Sequence, residues 1–186
     1  MNTLVKSIEV EYLRYRALAE AALAQVPESM LSEPGPAGGN SLVVMTWHMA
    51  GNLTSRFTDF LTSDGEKPWR DREDEFRPRV VSRDELMLKW TDGWNALLTA
   101  LSELTDDDLT RTVRIRGQEL AVHEALHRSL AHASYHVGQI VYLAHAKCGV
   151  DWRYLSIPPG GSAAYNANPG AEKASAHAAL LDDGFK

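Results

Sequence analysis

The sequence predicts an all-α fold, a four-helix bundle with a long crossover and a small β-hairpin before the last helix. Four segments repeat apolar side chains at helical spacing, which is typical of amphipathic helices. The connections over residues 27–40 and 63–82 are long enough to allow a crossover. One short segment alternates apolar and polar residues, as a hairpin does. At 186 residues, the chain is expected to form one domain.

The helices are predicted from their apolar stripes and from the residues at their ends. Their predicted ranges are 3 to 26, 41 to 62, about 83 to 102 and about 122 to 147. Ser82 and Glu85 have the spacing of a capping box, in which the serine caps free amides and the glutamate reaches back. Gly149 is a typical signal for the end of the fourth helix.

The segments outside the helices give the hairpin and the C-terminal region. Residues 111–121 predict a hairpin with its turn near Arg116-Gly117-Gln118. Residues 150–186 are rich in Pro, Gly, Ala, Ser and Asn, which predicts an ordered loop to about residue 168 and then a loose tail. We therefore expect a bundle domain over 1–168 and a flexible tail over 169–186.

Composition excludes several classes of partner. The net charge of −6 gives no basic surface for nucleic acid, and no apolar run approaches the roughly 20 residues of a membrane-spanning helix. The N-terminal segment carries acids and aromatics where a signal peptide needs an unbroken apolar stretch. A single cysteine, Cys148, excludes an internal disulfide. These features predict a cytoplasmic protein.

The segment HEALHRSLAHASYH, residues 123–136, contains four of the seven histidines. They form two pairs, His123 with His127 and His132 with His136, each at i, i+4 spacing on the predicted fourth helix. At about 100° per residue, the two pairs point in opposite directions. One helix therefore cannot present all four imidazoles to one ion.

The first pair has the H-E-x-x-H form of zinc peptidases, in which the glutamate polarises the metal-bound water. The extended form of that motif needs Gly and His where this chain has Leu130 and Ala133. No glutamate occurs between Glu124 and Glu172 to serve as the third ligand. The favoured interpretation is two solvated surface histidines, with a zinc peptidase site as an outside alternative.

The second pair lies on an apolar face, and its imidazoles need polar partners there. One interpretation is two core histidines that hydrogen bonds satisfy. The other is a metal site with a third ligand from the second helix, where His48 is the only histidine of the first 122 residues. Three neutral imidazoles would hold a first-row divalent ion and leave a position open, which is the ligand count of a catalytic site.

Five further residues are candidates for the surroundings of such a site. Asn52 and Asp59 follow the second-helix histidine along a polar line, for which the alternative is a solvated helix face. Arg56 falls near the centre of the apolar stripe of the second helix. Its side chain is expected either to bind an anion or substrate or to form a structural ion pair. Arg128 lies near the predicted cavity edge, and Gln139 is placed to orient a ligand or a water.

The motif His132-Ala-Ser-Tyr-His136-Val-Gly-Gln139, together with a lone histidine on the second helix, resembles the DinB-like superfamily of metal-binding four-helix bundles. Segments such as WHMAGNLTSRFTDFLTSDGEKPWR and DWRYLSIPPGGS resemble one subfamily of it, from about residue 40 to 168. The resemblance implies a bundle with a long crossover that is usually a homodimer.

The resemblance also implies one divalent metal ion held by His48, His132 and His136. Zinc or nickel is expected first, and iron or manganese second. Superfamily relatives include metal-dependent transferases and isomerases that use small thiols such as bacillithiol or mycothiol. The function hypothesis is therefore transfer of a small thiol to an electrophilic small molecule. The alternatives are a metal-dependent hydrolase and a metal-binding stress or scaffold protein without turnover.

Overall fold

The computed structural model describes residues 3–185, and helices dominate it. The helices are α1 (Thr3–Gln25), α2 (Glu28–Leu31), α3 (Leu42–Phe57), α4 (Arg72–Glu75), α5 (Arg83–Glu103), α6 (Val122–Cys148), α7 (Ser162–Ala167) and α8 (Ala174–Gly184). Strands β1 (Thr112–Ile115) and β2 (Gln118–Ala121) form an antiparallel hairpin directly before α6. The predicted all-α class with a small hairpin is confirmed. Residues 1, 2 and 186, which the domain and tail expectations include, lie outside the described residues.

The four long helices form a ring. The most extensive contacts join α3 to α5 and α1 to α6, and further contacts join α3 to α6 and α1 to α5. Helices α1 and α3, and likewise α5 and α6, therefore occupy opposite corners of the bundle, whereas α3 and α5 are neighbours. Reaching an opposite corner needs a long connection, and the segments after α1 and α5 supply these.

The core is filled by side chains from all four of these helices. Tyr12 on α1, Met49 on α3, and Trp90 and Trp94 on α5 are fully buried. Burial of aromatic rings is a large part of the apolar surface that a bundle removes from water. The Tyr12 hydroxyl donates a hydrogen bond to the carbonyl of Leu126 at 2.9 Å, which satisfies its polar end.

Helix α3 ends at Phe57, five residues before its predicted end at residue 62. Thr58 is extended and Asp59 is left-handed at φ 50°. The Asp59 carbonyl accepts hydrogen bonds from the amides of Thr62 and Ser63 at 3.0 Å, so a local turn replaces the next helical turn. As a result the following segment runs back beside α3 and reaches the functional site.

The predicted start of α5 and the predicted hairpin are confirmed in detail. Ser82 accepts a hydrogen bond from the Glu85 amide at 3.1 Å, which is the serine half of the predicted capping box. Arg116 and Gly117 form the hairpin turn with φ of 54° and 73°, as a type I′ turn requires. The Asp64 carboxylate accepts hydrogen bonds from both turn amides, at 2.8 and 2.7 Å. This contact ties the hairpin tip to the loop after α3.

The C-terminal segment contains α8, which packs against α1 and buries Leu181. The expectation of a loose segment after residue 168 is therefore wrong about secondary structure, because its alanines and leucines form an apolar helix face. The domain boundary near residue 168 stays a prediction. No helix within residues 3–185 combines the length and the apolar character that crossing a bilayer requires.

Candidate metal centre

Three histidines from two helices converge between α3 and α6. His48 comes from α3, and His132 and His136 come from adjacent turns of α6. One ring nitrogen of each lies within 4.8 Å of those of the other two. The Nε2 atoms of His48 and His132 are 3.3 Å apart. The structure therefore brings together the three histidines that the sequence analysis selected, close enough to hold a metal ion.

The local sequence explains why α6 presents its pair to α3. Residues four apart lie one above the other on a helix, so both imidazoles leave the same face. Ser129 and Ala133 on that face are small and buried, which leaves room for the rings beside α3. His48 is only 4% exposed and packs against Phe76, with ring centroids 4.5 Å apart and the ring planes tilted by 35°.

Glu75 fixes the orientation of His48. Its Oε2 atom lies 2.9 Å from His48 Nδ1, and the residue is 5% exposed. Arg70 holds the same carboxylate with two bonds, from Nε to Oε1 at 2.7 Å and from Nη2 to Oε2 at 2.8 Å. Burial alone would raise the pKa of Glu75, but the hydrogen bonds from Arg70 and His48 outweigh burial and lower it. The ionised carboxylate accepts a hydrogen bond from His48 Nδ1–H, so Nε2 is the nitrogen left to act as a ligand.

Gly51 makes room for this carboxylate on α3. A Cβ atom at position 51 would lie 2.2 Å from Oε1 and 2.7 Å from Cδ of Glu75. The glutamate side chain is pinned by Arg70 and His48, so it cannot swing aside without breaking those bonds. The glycine one turn after His48 is therefore part of the support of the site.

Gln139 orients His136 in a similar way. Its Oε1 atom lies 2.9 Å from His136 Nδ1, one turn further along α6. An amide oxygen only accepts, so Nδ1 carries the proton and Nε2 carries the lone pair. Hydrogen bonds of this kind fix the tautomer of metal-ligating histidines.

His132 and His136 are both neutral at pH 7. Burial lowers the pKa of His132 to about 3, with added effects of His136, His48, Arg70 and Arg56. Burial and the nearby His48 lower the pKa of His136 to about 4, although the hydrogen bond that His136 donates to Gln139 acts in the opposite direction. Neutral imidazoles are the form that binds metal ions.

The donor set fits a first-row divalent ion. Metal–nitrogen bonds of about 2.0–2.1 Å in a tetrahedron place neighbouring nitrogens about 3.3 Å apart. The Nε2 atoms of His48 and His132 have this separation. Three imidazoles leave at least one coordination position for another molecule, and imidazole suits zinc, nickel and iron.

A cavity of about 340 Å³ opens beside the three histidines. Of the candidate surroundings, Asn52, Arg56 and Arg128 line it. Arg56 also donates to the Gly65 carbonyl and to Glu66 Oε2, so it has the structural ion pair that was its alternative role. The structure does not bring Asp59 to the cavity. Helix α3 ends at Phe57, and the Asp59 side chain is exposed in the turn that follows.

Sequence reasoning missed Glu75 and Arg70, which lie in the segment that it described only as the connection over residues 63–82. The segment contains a local signal that was not used. Asp71 caps α4 by accepting a hydrogen bond from the Asp74 amide at 2.9 Å, and Glu75 follows at the end of that single turn. The route of this segment beside α3 has no such local signal, since it depends on the left-handed turn at Asp59.

The H-E-x-x-H pair is separate from the three-histidine cluster. His123 and His127 are exposed, and His123 Nδ1 bonds to the Leu109 carbonyl at 2.8 Å. Glu124 accepts a hydrogen bond from the Ala121 amide at 2.7 Å and so caps α6. In the part of the chain that the structure describes, the one group of three metal-ligating side chains is His48 with the second pair. The interpretation of the first pair as surface histidines is confirmed.

Comparison with known proteins identifies a family. No curated protein matches the chain. A family model described as "Protein of unknown function (DUF1572)" matches residues 1–161, which is most of the chain. The match includes the three histidines and the residues that support them. The chain therefore belongs to the DUF1572 family, which is part of the DinB-like superfamily.

Proposed function

We propose that the protein binds one divalent metal ion through His48, His132 and His136 and acts as a metal-dependent transferase. Its substrates are a small thiol and an electrophilic small molecule. One observation carries the proposal: three imidazoles converge at the wall of a cavity that opens to solvent. Zinc or nickel is the first expectation for the metal, and iron or manganese the second.

The supporting residues prepare the imidazoles for this role. Glu75 and Gln139 hold protons at Nδ1 of His48 and His136, which leaves the Nε2 atoms to act as ligands. Phe57 and Phe60 line the cavity with apolar surface and reduce the water around a bound substrate. When bound, a divalent ion supplies Lewis-acid chemistry that lowers the pKa of a thiol or a water.

The cavity lining favours a thiol over water as the nucleophile. Among the described residues, no carboxylate lines the cavity to act as a general base. A thiol has a pKa of about 8.5, so it needs far less assistance than water, whose pKa is about 15.7. In the proposed reaction, the thiol releases its proton to solvent and its sulfur forms a bond to the electrophilic carbon. The leaving group departs with the electron pair of the bond that breaks.

The cavity also favours an enzyme over a metal-binding scaffold. The cavity volume of about 340 Å³ lies within the range of small-molecule sites, about 300–1,000 Å³. A scaffold protein has no need of a solvent-connected cavity next to its metal. Hydrolysis would use the same cavity and is the second outcome of the test.

The test uses the metal-reconstituted full chain, bacillithiol or mycothiol, and 1-chloro-2,4-dinitrobenzene as a general electrophile. We expect formation of the S-aryl product above the uncatalysed rate, with release of chloride. The rate should require the metal, fall to background in His132→Ala and stay unchanged in His127→Ala. Metal-replete protein that accelerates no thiol transfer would contradict the transferase, and acceleration of ester hydrolysis instead would favour the hydrolase.

A further inference from the structure

Arginines dominate the polar wall of the cavity that contains the three histidines. Five guanidinium groups line it, and within residues 3–185 no lining residue is acidic. These arginines are Arg56, Arg70, Arg72, Arg116 and Arg128. The whole chain has a net charge of −6, so its composition does not explain a strongly cationic cavity. The fold brings these arginines together at the cavity.

Carboxylates behind the wall neutralise only part of this charge. Glu66 Oε2 accepts hydrogen bonds from Arg56 Nη1 at 3.0 Å and from Arg116 Nε at 3.1 Å, so one acid serves two cations. Glu75 pairs with Arg70 and is also the acceptor for His48. The cavity therefore keeps an excess of positive charge, and a divalent ion on the three imidazoles would add to it.

Arg70 has an unsatisfied donor at this wall. Its side chain is only 2% exposed, yet its Nη1 atom has no hydrogen-bond partner. The nearest carboxylate oxygen, Glu66 Oε2, is 3.8 Å away and beyond hydrogen-bond distance. Buried charged donors without an acceptor are costly, so such a group marks a place where an acceptor binds.

Arg128 supplies a second available cation. It lies on α6 one turn before His132 and lines the same cavity. Among the described residues, no hydrogen bond or ion pair engages its guanidinium. Arginine binds carboxylate and phosphate groups through paired N–H donors, which gives such an anion two well-defined contacts.

We propose that the small-molecule substrate is an organic anion whose carboxylate or phosphate group is bound by Arg70 and Arg128. Its reactive end then lies toward His48, His132 and His136, and in this respect the inference rests on the proposed function. The cavity of about 340 Å³ limits the anion to a small metabolite. Arg56 and Arg116 add long-range attraction while Glu66 holds them in place.

The test measures binding of malonate and of inorganic phosphate to the metal-free full chain by isothermal titration calorimetry, with uncharged malonamide as the comparison ligand. We expect saturable binding of at least one anion and none of malonamide. Arg128→Gln should weaken binding about tenfold, as the loss of a charge-assisted hydrogen bond does. Arg114→Gln is the matched control, since it removes the same charge from a side chain that is 63% exposed and outside the cavity.

Tighter binding of malonate assigns a carboxylate, and tighter binding of phosphate assigns a phosphate. Absence of saturable binding to the wild type would overturn the inference, and so would equal weakening in Arg114→Gln and Arg128→Gln. The metal-free sample separates this inference from the proposed function. An anion site that depends on Arg128 in a protein that never takes up metal would support the inference and contradict the metal centre.

Discussion

Glu75 holds the proton of His48 at Nδ1, and this single contact decides which nitrogen faces His132 and His136 on α6. The carboxylate is itself held by two bonds from Arg70, at 2.7 and 2.8 Å. Such outer partners set the ring orientation and raise the basicity of metal-ligating histidines. The metal affinity of the site is thus expected to depend on Glu75, which contacts His48 and is not itself one of the three ligands.

The substitution Glu75→Gln should lower metal affinity by about 10–100-fold, the typical effect of losing such a partner. Glutamine keeps the shape of the side chain, but it removes the charge that Arg70 needs. Competition with a chromophoric chelator measures the affinity. Glu73→Gln is the matched control, because Glu73 lies on the same short helix with a side chain that is 84% exposed. Equal affinities in the two variants would show that Glu75 has no role.

The histidines could be selected from sequence, whereas their support could not. His132 and His136 share a helix face by simple periodicity, and His48 stood out because no other histidine occurs in the first 122 residues. Glu75 and Arg70 reach His48 only because the chain turns back after α3. That turn depends on a left-handed aspartate, a conformation that sequence periodicity does not encode.

Helix α1 begins with a cap from a distant part of the chain. The Asp106 carboxylate accepts hydrogen bonds from the backbone amides of Thr3, Leu4 and Val5, at 2.8, 3.1 and 3.0 Å. These are among the free amides of the first helical turn, where a negative charge is also favoured by the helix dipole. Hydrogen bonds from Val5, Leu4 and Thr3 lower the pKa of Asp106 below its usual 3.8.

The substitution Asp106→Asn should lower the melting temperature at pH 7. A carboxylate whose pKa is lower in the folded state adds stability above its unfolded pKa of 3.8, and that stability is lost as the pH falls through the folded value. The difference from wild type should therefore be full above about pH 4 and shrink in more acidic buffer. Calorimetry across pH measures it. Asp107→Asn is the control, and a drop of equal size there would contradict the cap.

Helices α3 and α5 approach each other closely at one glycine. A Cβ atom at Gly93 would lie 2.7 Å from the Ala50 Cα and 2.8 Å from the Ala50 carbonyl oxygen. Backbone atoms cannot move aside as a flexible side chain can. This glycine therefore sets the spacing of the helix pair that carries His48.

The substitution Gly93→Ala should destabilise the protein by about 1–3 kcal/mol, the usual cost of overpacking. Gly138 on α6 has no other atom within 4 Å of an added Cβ. Gly138→Ala should instead stabilise by about 0.5–1 kcal/mol through helix propensity alone. Urea unfolding measures both. Equal changes in the free energy of unfolding for the two substitutions would mean that the close approach of α3 and α5 at Gly93 does not affect stability.

The ends of elements were harder to predict than their existence. All four long helices follow from their apolar stripes, and Ser82 marked the start of α5. The end of α3 was placed too late because Phe60 and Leu61 continue the apolar pattern beyond the helix. Helix α8 was missed because small residues flank it and its face needs α1 as a partner before its amphipathic character matters.

At the scale of the whole molecule, the ring of helices brings α3 between α5 and α6. The returning segment after α3 and the hairpin tip then close one end of the α3–α6 contact. Cationic side chains from both segments meet the histidines there, although the chain as a whole is acidic. The homodimer and the cytoplasmic location implied by the sequence stay predictions, and sedimentation of the full chain tests the first.

The most direct test of the metal centre is metal content by mass spectrometry on protein purified without an affinity tag. The variants are His48→Ala, His132→Ala and His127→Ala, beside the wild type. We expect about one equivalent of metal in the wild type and in His127→Ala, and a loss in the other two, because three ligands hold one ion. Metal that is lost only in His127→Ala, or absent from every sample even after reconstitution, would contradict the three-histidine centre.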